Sequence, residues 1–235
     1  MARQSHPTIL LTRPAQQSQR FAAQIGGAVI SPLMRPEFST PHLPREDFSA
    51  IVLTSETGAE AAGRISATGA PLPKRAFCVG NRTADAAQKL GFEASSAAGD
   101  ADDLLAHILR AQPAGQVLLL RGQDSAGDLQ NRLVLAGIPT VSLVIYRQIA
   151  LQLNDEAITI LQGAAPVILP VFSPRSARIL AAELRRIAAV APIWLAALSA
   201  AVADGFDFPT VRTEIALRPD SAAMRAAIDA LLRAG

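Results

Sequence analysis

Eight short runs rich in Ile, Val and Leu punctuate the chain, and most do not alternate with polar residues. They are Thr8–Thr12, Ala28–Ser31, Ala50–Thr54, Ala76–Val79, Val117–Leu120, Val141–Tyr146, Val167–Phe172 and Ile193–Leu198. A strand that is apolar on both sides is covered on both sides, as in a parallel sheet between helix layers. Amphipathic segments fall between these runs: Gln16–Ile25, Thr83–Leu90, Ala101–Leu109, Asp128–Ala136, Pro174–Ile187 and Ser221–Leu232. Local signals support them as helices. Asp100 is a side-chain N-cap, Gly137 is a C-cap, and Ser173-Pro174 supplies a cap followed by a proline suited to the first turn. Strands alternating with helices of this length predict an α/β fold assembled from βαβ units.

The units repeat once. Leu10-Leu11-Thr12-Arg13 resembles Leu119-Leu120-Arg121-Gly122, and Leu53-Thr54-Ser55 matches Val171-Phe172-Ser173. Gly80-Asn81-Arg82-Thr83 corresponds more loosely to Ser199-Ala200, and Gly99-Asp100 to Pro219-Asp220. Arg13 and Arg121 stand 108 residues apart, Ser55 and Ser173 118, and Asp100 and Asp220 120. Order is kept, and the period lies far above the ~20–50 residues of repeat arrays, so a whole domain is duplicated. Two segments stand outside the repeat. Pro32–Pro44 carries four prolines and is poor helix material. Arg147–Asn154 reads as extended, with Asn154 or Asp155 capping a short helix after it. Both are candidate crossings between lobes, and if both cross, one lobe is discontinuous.

Composition narrows the chemistry. Half of the 235 residues are hydrophobic, 18% are charged and only 4% are aromatic. Base stacking needs exposed rings, and the net charge of +2 with no run of five like charges argues against nucleic acid and membrane surfaces as partners. No apolar stretch reaches the ~20 residues of a membrane span, and Ile9-Leu10-Leu11 is too short for a signal-peptide core, so a cytoplasmic protein is expected. The single Cys78 lies in an apolar run and reads as a buried small hydrophobe. With His6, His42 and His107 scattered, no metal is expected. Walker, Gly-x-Gly-x-x-Gly and Gly-x-Ser-x-Gly sequences are all absent.

Present instead are polar residues at strand ends: Thr12-Arg13, Thr54-Ser55, Asn81-Arg82-Thr83, Arg121-Gly122, Ser173-Pro174 and Ser199. Ligands of open α/β sheets bind outside the carboxyl ends of the strands, where helix N-termini favour anions. Such turns suit an anion cradle with little capacity for hard chemistry. A simpler account treats each Ser and Thr as a helix cap; Arg13 and Arg121 are more specific, since a cap need not be Arg.

In their order along the chain these motifs resemble the uroporphyrinogen-III synthase family. The matching pieces are Leu11-Thr12-Arg13-Pro14, Ile51-Val52-Leu53-Thr54-Ser55, Val79-Gly80-Asn81-Arg82-Thr83-Ala84, Gly99-Asp100, Leu119-Leu120-Arg121-Gly122, Val144-Ile145-Tyr146-Arg147, Phe172-Ser173-Pro174 and Arg218-Pro219-Asp220. The resemblance implies two similar parallel-sheet α/β lobes joined by two extended linkers, with a cleft between them. Lobe 1 would hold residues 1–34 and 151–235, and lobe 2 residues 35–150. The implied reaction closes hydroxymethylbilane, a linear tetrapyrrole with eight carboxylate side chains, into uroporphyrinogen III with ring D inverted and one water lost, and needs no cofactor. Unaided closure gives the uninverted isomer I.

Holding a flexible polyanion in one geometry is a task for orientation, which is worth about 7–11 kcal/mol at best. The resemblance casts Tyr146 as general acid or orienter, because a phenol keeps its proton at neutral pH. Substrate-binding roles fall to Arg13, Thr54, Ser55, Asn81, Thr83, Arg121, Gly122, Arg147, Ser173 and Ser199. The family pattern has a glycine and a threonine where this chain reads Leu198-Ser199: the serine keeps a hydroxyl, and the glycine is lost. A monomer acting on a small-molecule substrate is expected. The rival is a two-lobed binding or sensor module for a small anion, without catalysis, in which loss of the Tyr146 hydroxyl would matter less.

Overall fold

The computed structural model describes residues 7–124 and 127–233. The described chain falls into two compact units. Unit 1 takes the described residues of Met1–Arg35 and Ile149–Gly235, and unit 2 is Pro36–Gln148. The boundaries fall inside two strands, β3 (Met34–Phe38) and β8 (Thr140–Ala150). Ser39 N donates to Ile145 O and Leu151 N to Leu33 O, so the two segments run antiparallel.

Unit 1 is built on a five-stranded parallel sheet of order β11-β10-β9-β1-β2. Its strands are β1 (Thr8–Leu11), β2 (Val29–Ile30), β9 (Val167–Val171), β10 (Ile193–Ala197) and β11 (Arg212–Ile215). Unit 2 carries the order β3-β8-β7-β4-β5-β6. Here β4 is Ala50–Leu53, β5 Arg75–Cys78, β6 Glu93–Ser96 and β7 Val117–Gly122. Setting β3 aside, β6-β5-β4-β7-β8 repeats β11-β10-β9-β1-β2 strand for strand, and every pair among β4 to β8 is parallel. The duplication therefore survives in topology. The β1–β2 pair at the start of the chain completes the sheet begun by β9–β11 near its end, and the whole of unit 2 is inserted between.

Strand alternation explains the layers. In β4, Ile51 and Leu53 pack against α2 (Glu56–Ala67) and α3 (Asn81–Lys89), whereas Ala50 and Val52 pack against α4 (Ala101–Ala111) and α5 (Leu129–Leu135). Unit 1 repeats the scheme. Leu169 and Leu195 meet α6 (Asp155–Leu161), α7 (Pro174–Arg186) and α8 (Ala200–Asp204), while Ile168 and Trp194 meet α1 (Ala15–Gln24) and α9 (Ser221–Arg233). Each fully buried Leu or Ile adds about 1.5–3 kcal/mol, so the doubly covered strands dominate the stability. Cys78 is fully buried in this core, and burial pushes its thiol up to about 12, which leaves it inert.

Pro170 makes the two central strands differ. Val167 N donates to Pro192 O toward β10, so Ile168 and Pro170 are the residues whose nitrogens face β1. The β1–β9 register covers Thr8↔Val167 and Ile9↔Ile168 and stops short of Pro170, which has no N–H. In unit 2 the β4–β7 register runs through all of Ala50–Leu53. No helix among the described residues is long and apolar enough to cross a membrane.

Candidate active site

The polar strand ends collect at the carboxyl edge of each sheet, but strand alternation sorts them onto opposite faces. In unit 2 one face carries Ser55, Gly122 and Tyr146, together with α2. Ser55 caps α2 in extended backbone, and its Oγ accepts from Gly58 N at 2.9 Å. The same Oγ lies 3.0 Å from the Tyr146 hydroxyl. Tyr146 is 9% exposed and packs in the core cluster of α2 and α3.

A β-bulge aims the tyrosine. The β7–β8 register pairs Arg121 with Val144 but Gly122 with Tyr146, skipping Ile145. Both Ile145 and Tyr146 then pack on the α2 side, a re-aiming that bulges commonly perform beside functional sites. Gly122 is required for this. A Cβ there would stand 2.6 Å from Tyr146 Cζ and 2.9 Å from its hydroxyl. The phenol ring lies directly on the Gly122 backbone.

The opposite face of unit 2 holds Thr54 and Arg121. They line a cavity of about 220 Å³ with Leu119, Gly127, Asp128 and Gln130. Arg121 is folded onto its own sheet: Nε donates to Ser142 Oγ at 2.8 Å and Nη1 to Gly122 O at 3.2 Å. Arg147 follows Tyr146 in β8, so its side chain leaves on the other face, where it pairs with Glu37 of β3. The structure thus separates Arg121 and Arg147 from the Tyr146–Ser55 pair, although all four are close in the sheet.

The first turn of α3 differs again. Gly80 is its N-cap and offers no side chain, and a Cβ there would meet nothing within 4 Å. Gly80 thus leaves open space beside the opening turn of this helix, and a helix N-terminus suits a carboxylate. Asn81 is exposed, whereas Thr83 is buried on the inner side of the turn. The sequence pattern places the start of this helix at Thr83. It begins at Asn81, because Gly80 adopts the extended cap conformation that the short turn left undetermined.

Unit 1 contributes Arg13, Ser173 and Ser199. The Arg13 guanidinium lies 4.0 Å from the centre of the Phe172 ring, and Phe21 meets that ring edge-on at 5.3 Å. Ser173 caps α7 through Ser176 N at 3.1 Å. Ser199 precedes α8, a helix of five residues, and its hydroxyl makes no capping bond. Sequence reasoning did not single out Gly58 or Phe172. The repeat carried a signal for the first, since Ser55-x-x-Gly58 aligns with Ser173-x-x-Ser176.

Among the described residues, which exclude His6, no group of three or more His, Cys, Asp or Glu is placed to hold a metal ion. His107 instead bonds Ser95 Oγ at 2.9 Å, and burial, with Arg110 and Arg75 nearby, lowers its affinity for a proton.

The family model for uroporphyrinogen-III synthase HemD matches residues 16–230. Sequence comparison with curated proteins finds no match. Among solved structures the chain is similar to the uroporphyrinogen-III synthetase of Helicobacter pylori. That TM-score is 0.68 at 18% identity, over 96% of this chain and 99% of the other. A mutant uroporphyrinogen III synthase from Thermus thermophilus gives a TM-score of 0.49 at 14% identity, over 96% and 99%.

Proposed function

This chain belongs to the uroporphyrinogen-III synthase family, whose reaction is the cyclisation of hydroxymethylbilane in tetrapyrrole biosynthesis, and we propose that Tyr146 is the proton donor that starts that reaction here. The observation that carries this reading is the hydroxyl pair of Tyr146 and Ser55 at 3.0 Å, fixed from below by the bare backbone of Gly122.

The proton inventory suits a donor. Ser55 Oγ accepts from Gly58 N, and in this reading its single hydrogen is given to the phenol oxygen. The phenol hydrogen is then available to substrate. When the hydroxymethyl C–O bond breaks, that hydrogen leaves with the hydroxide as water, and the Ser55 hydroxyl stabilises the phenolate formed. Ring closure releases one proton from the attacked pyrrole carbon, which resets the phenol. The net loss is one water, and no oxidant, reductant or cofactor enters the balance.

The remaining residues bind and orient. Carboxylates of the substrate are assigned to the open first turn of α3 at Asn81, to the caps of α2 and α7 at Ser55 and Ser173, and to Arg13 on its Phe172 platform. Thr54 and Arg121 offer a second polar surface at their cavity. Arg147 acts through charge from the far face. Thr83 supports the α3 turn from within, and Ser199, at the head of the shortest of these helices, contributes least. The same reading has one chain work as a monomer in the cytoplasm, its two units supplied by the duplication. Sedimentation at assay concentration tests the first point and cell fractionation the second.

Fresh hydroxymethylbilane incubated with the protein, with no cofactor added, tests the reading. After oxidation and chromatographic separation of the isomers, isomer III is expected. Isomer I alone, from folded protein that still binds substrate, leaves the non-catalytic module as the function.

A further inference from the structure

The caps of α2 and α7 are near copies. Ser55 has φ −156° and ψ 155°, Ser173 has φ −154° and ψ 152°, and each accepts the N–H of the third residue beyond it. The side chain of that third residue sets the two apart. Ser176 supplies a hydroxyl, and Ser173 Oγ donates to it at 2.9 Å, so the cap closes on its own helix. Gly58 supplies nothing, and Ser55 turns to Tyr146 instead.

Glycine at this place answers no backbone need. Gly58 is not among the residues with positive φ, and a helix favours alanine over glycine. Its distinguishing property is the space it leaves. A Cβ on Gly58 would stand 3.2 Å from Ser55 Oγ and 3.7 Å from Leu120 O, closer to the hydroxyl than ordinary carbon contacts allow. The contact asks its neighbour to give by a few tenths of an ångström, and the nearest atom is Ser55 Oγ, which is already held between Gly58 N and Tyr146.

We propose that Gly58 is a positioning residue for catalysis: by lacking a side chain it directs the Ser55 hydroxyl to Tyr146 instead of to its own helix. This rests on the proposed role of Tyr146. Gly58→Ala should lower kcat about tenfold, leave KM within about twofold, and leave the melting temperature unchanged or raised, since alanine suits the helix. Gly58→Ser, which rebuilds the closed cap of α7, should lower kcat further. Tyr146 is the sole tyrosine, so the Raman doublet of the phenol reads its hydrogen bonding directly and should change in both variants.

In a Tyr146→Phe background, Gly58→Ala should cost no further activity. Wild-type kcat in Gly58→Ala, or an undiminished loss in the Tyr146→Phe background, overturns the proposal. Full activity of Tyr146→Phe alone would instead remove the reading on which it rests.

Discussion

The two units share one strand order and one pair of serine caps, and they differ in what stands beside the caps. Along the matching registers Leu33 of unit 1 stands where unit 2 has Ile145, and the bulge in unit 2 brings Tyr146 to the same side as its neighbour. Leu33 is fully buried in one cluster with Val171 and Ala177; Tyr146 is held over Gly122 with its hydroxyl on Ser55. Where unit 2 has Arg121 and Thr54, unit 1 has Arg13 and Phe172, stacked on each other. The same scaffold thus carries a proton-donating pair in one copy and a cationic platform in the other. Duplication leaves each copy free to specialise, because the strands and caps that set the geometry stay while a handful of neighbours change.

The sharpest way to break the comparison is to make unit 2 resemble unit 1 at its tightest point. Gly122→Ala puts a methyl within 2.6 Å of the Tyr146 ring, which must move by about an ångström. Misplacement on that scale costs roughly 100-fold, so kcat should fall by that order while the melting temperature drops slightly. In unit 1, Arg13→Ala should act on KM and hardly on kcat, as steady-state kinetics of both variants will read.

Next in size is a contrast of stability. Ile65 in α2 corresponds to Glu183 in α7, and both are buried. Glu183 takes two hydrogen bonds from Arg186 and one from Leu153 N, where the chain re-enters unit 1. The Arg186 bonds chiefly, and the Leu153 N–H besides, hold its carboxyl below the usual range against the opposing effect of burial. Glu183→Ala strands a buried N–H and should cost about 1–3 kcal/mol in denaturant unfolding. A depressed carboxyl stabilises the fold above its ordinary pKa and ceases to do so as pH falls through the folded value, so the wild type loses this contribution in acid and the variant has none to lose.

Smaller effects separate the caps themselves. Ser55→Ala and Ser173→Ala should each cost about 1 kcal/mol of stability. Only the first should also lower kcat, by about tenfold, with the second acting on KM. Ser199→Ala removes no capping bond and should change stability by less than about 0.5 kcal/mol. Thermal unfolding of the three variants in parallel ranks them.

Legibility in the sequence followed burial. The central strands were readable because both their faces are covered, which removes polar residues from them. The missed strands are β3, β6 and β11, whose sequences Met-Arg-Pro-Glu-Phe, Glu-Ala-Ser-Ser and Arg-Thr-Glu-Ile are those of edge strands, partly wet and without an apolar signature. Helix α2 announces itself only through its cap, since Ala and Gly fill most of its buried positions and leave weak periodicity. Within the site, Ser55, Ser173 and Tyr146 were legible as strand-end residues. Their division between two faces was not, because the bulge that turns Tyr146 toward α2 is a matter of register between β7 and β8. The role of Gly58 was hidden for a similar reason: a missing side chain has meaning only once the neighbour that uses the space is known.

The most direct test of the account is the isomer ratio formed by Tyr146→Phe. Phenylalanine keeps the ring on Gly122 and removes only the hydroxyl. The expected result is a folded protein that still binds hydroxymethylbilane, with enzymatic formation of isomer III slowed about 100-fold or more and isomer I dominating the product. Isomer III formed at the wild-type rate would show that the hydroxyl pair of unit 2 is not where the reaction begins.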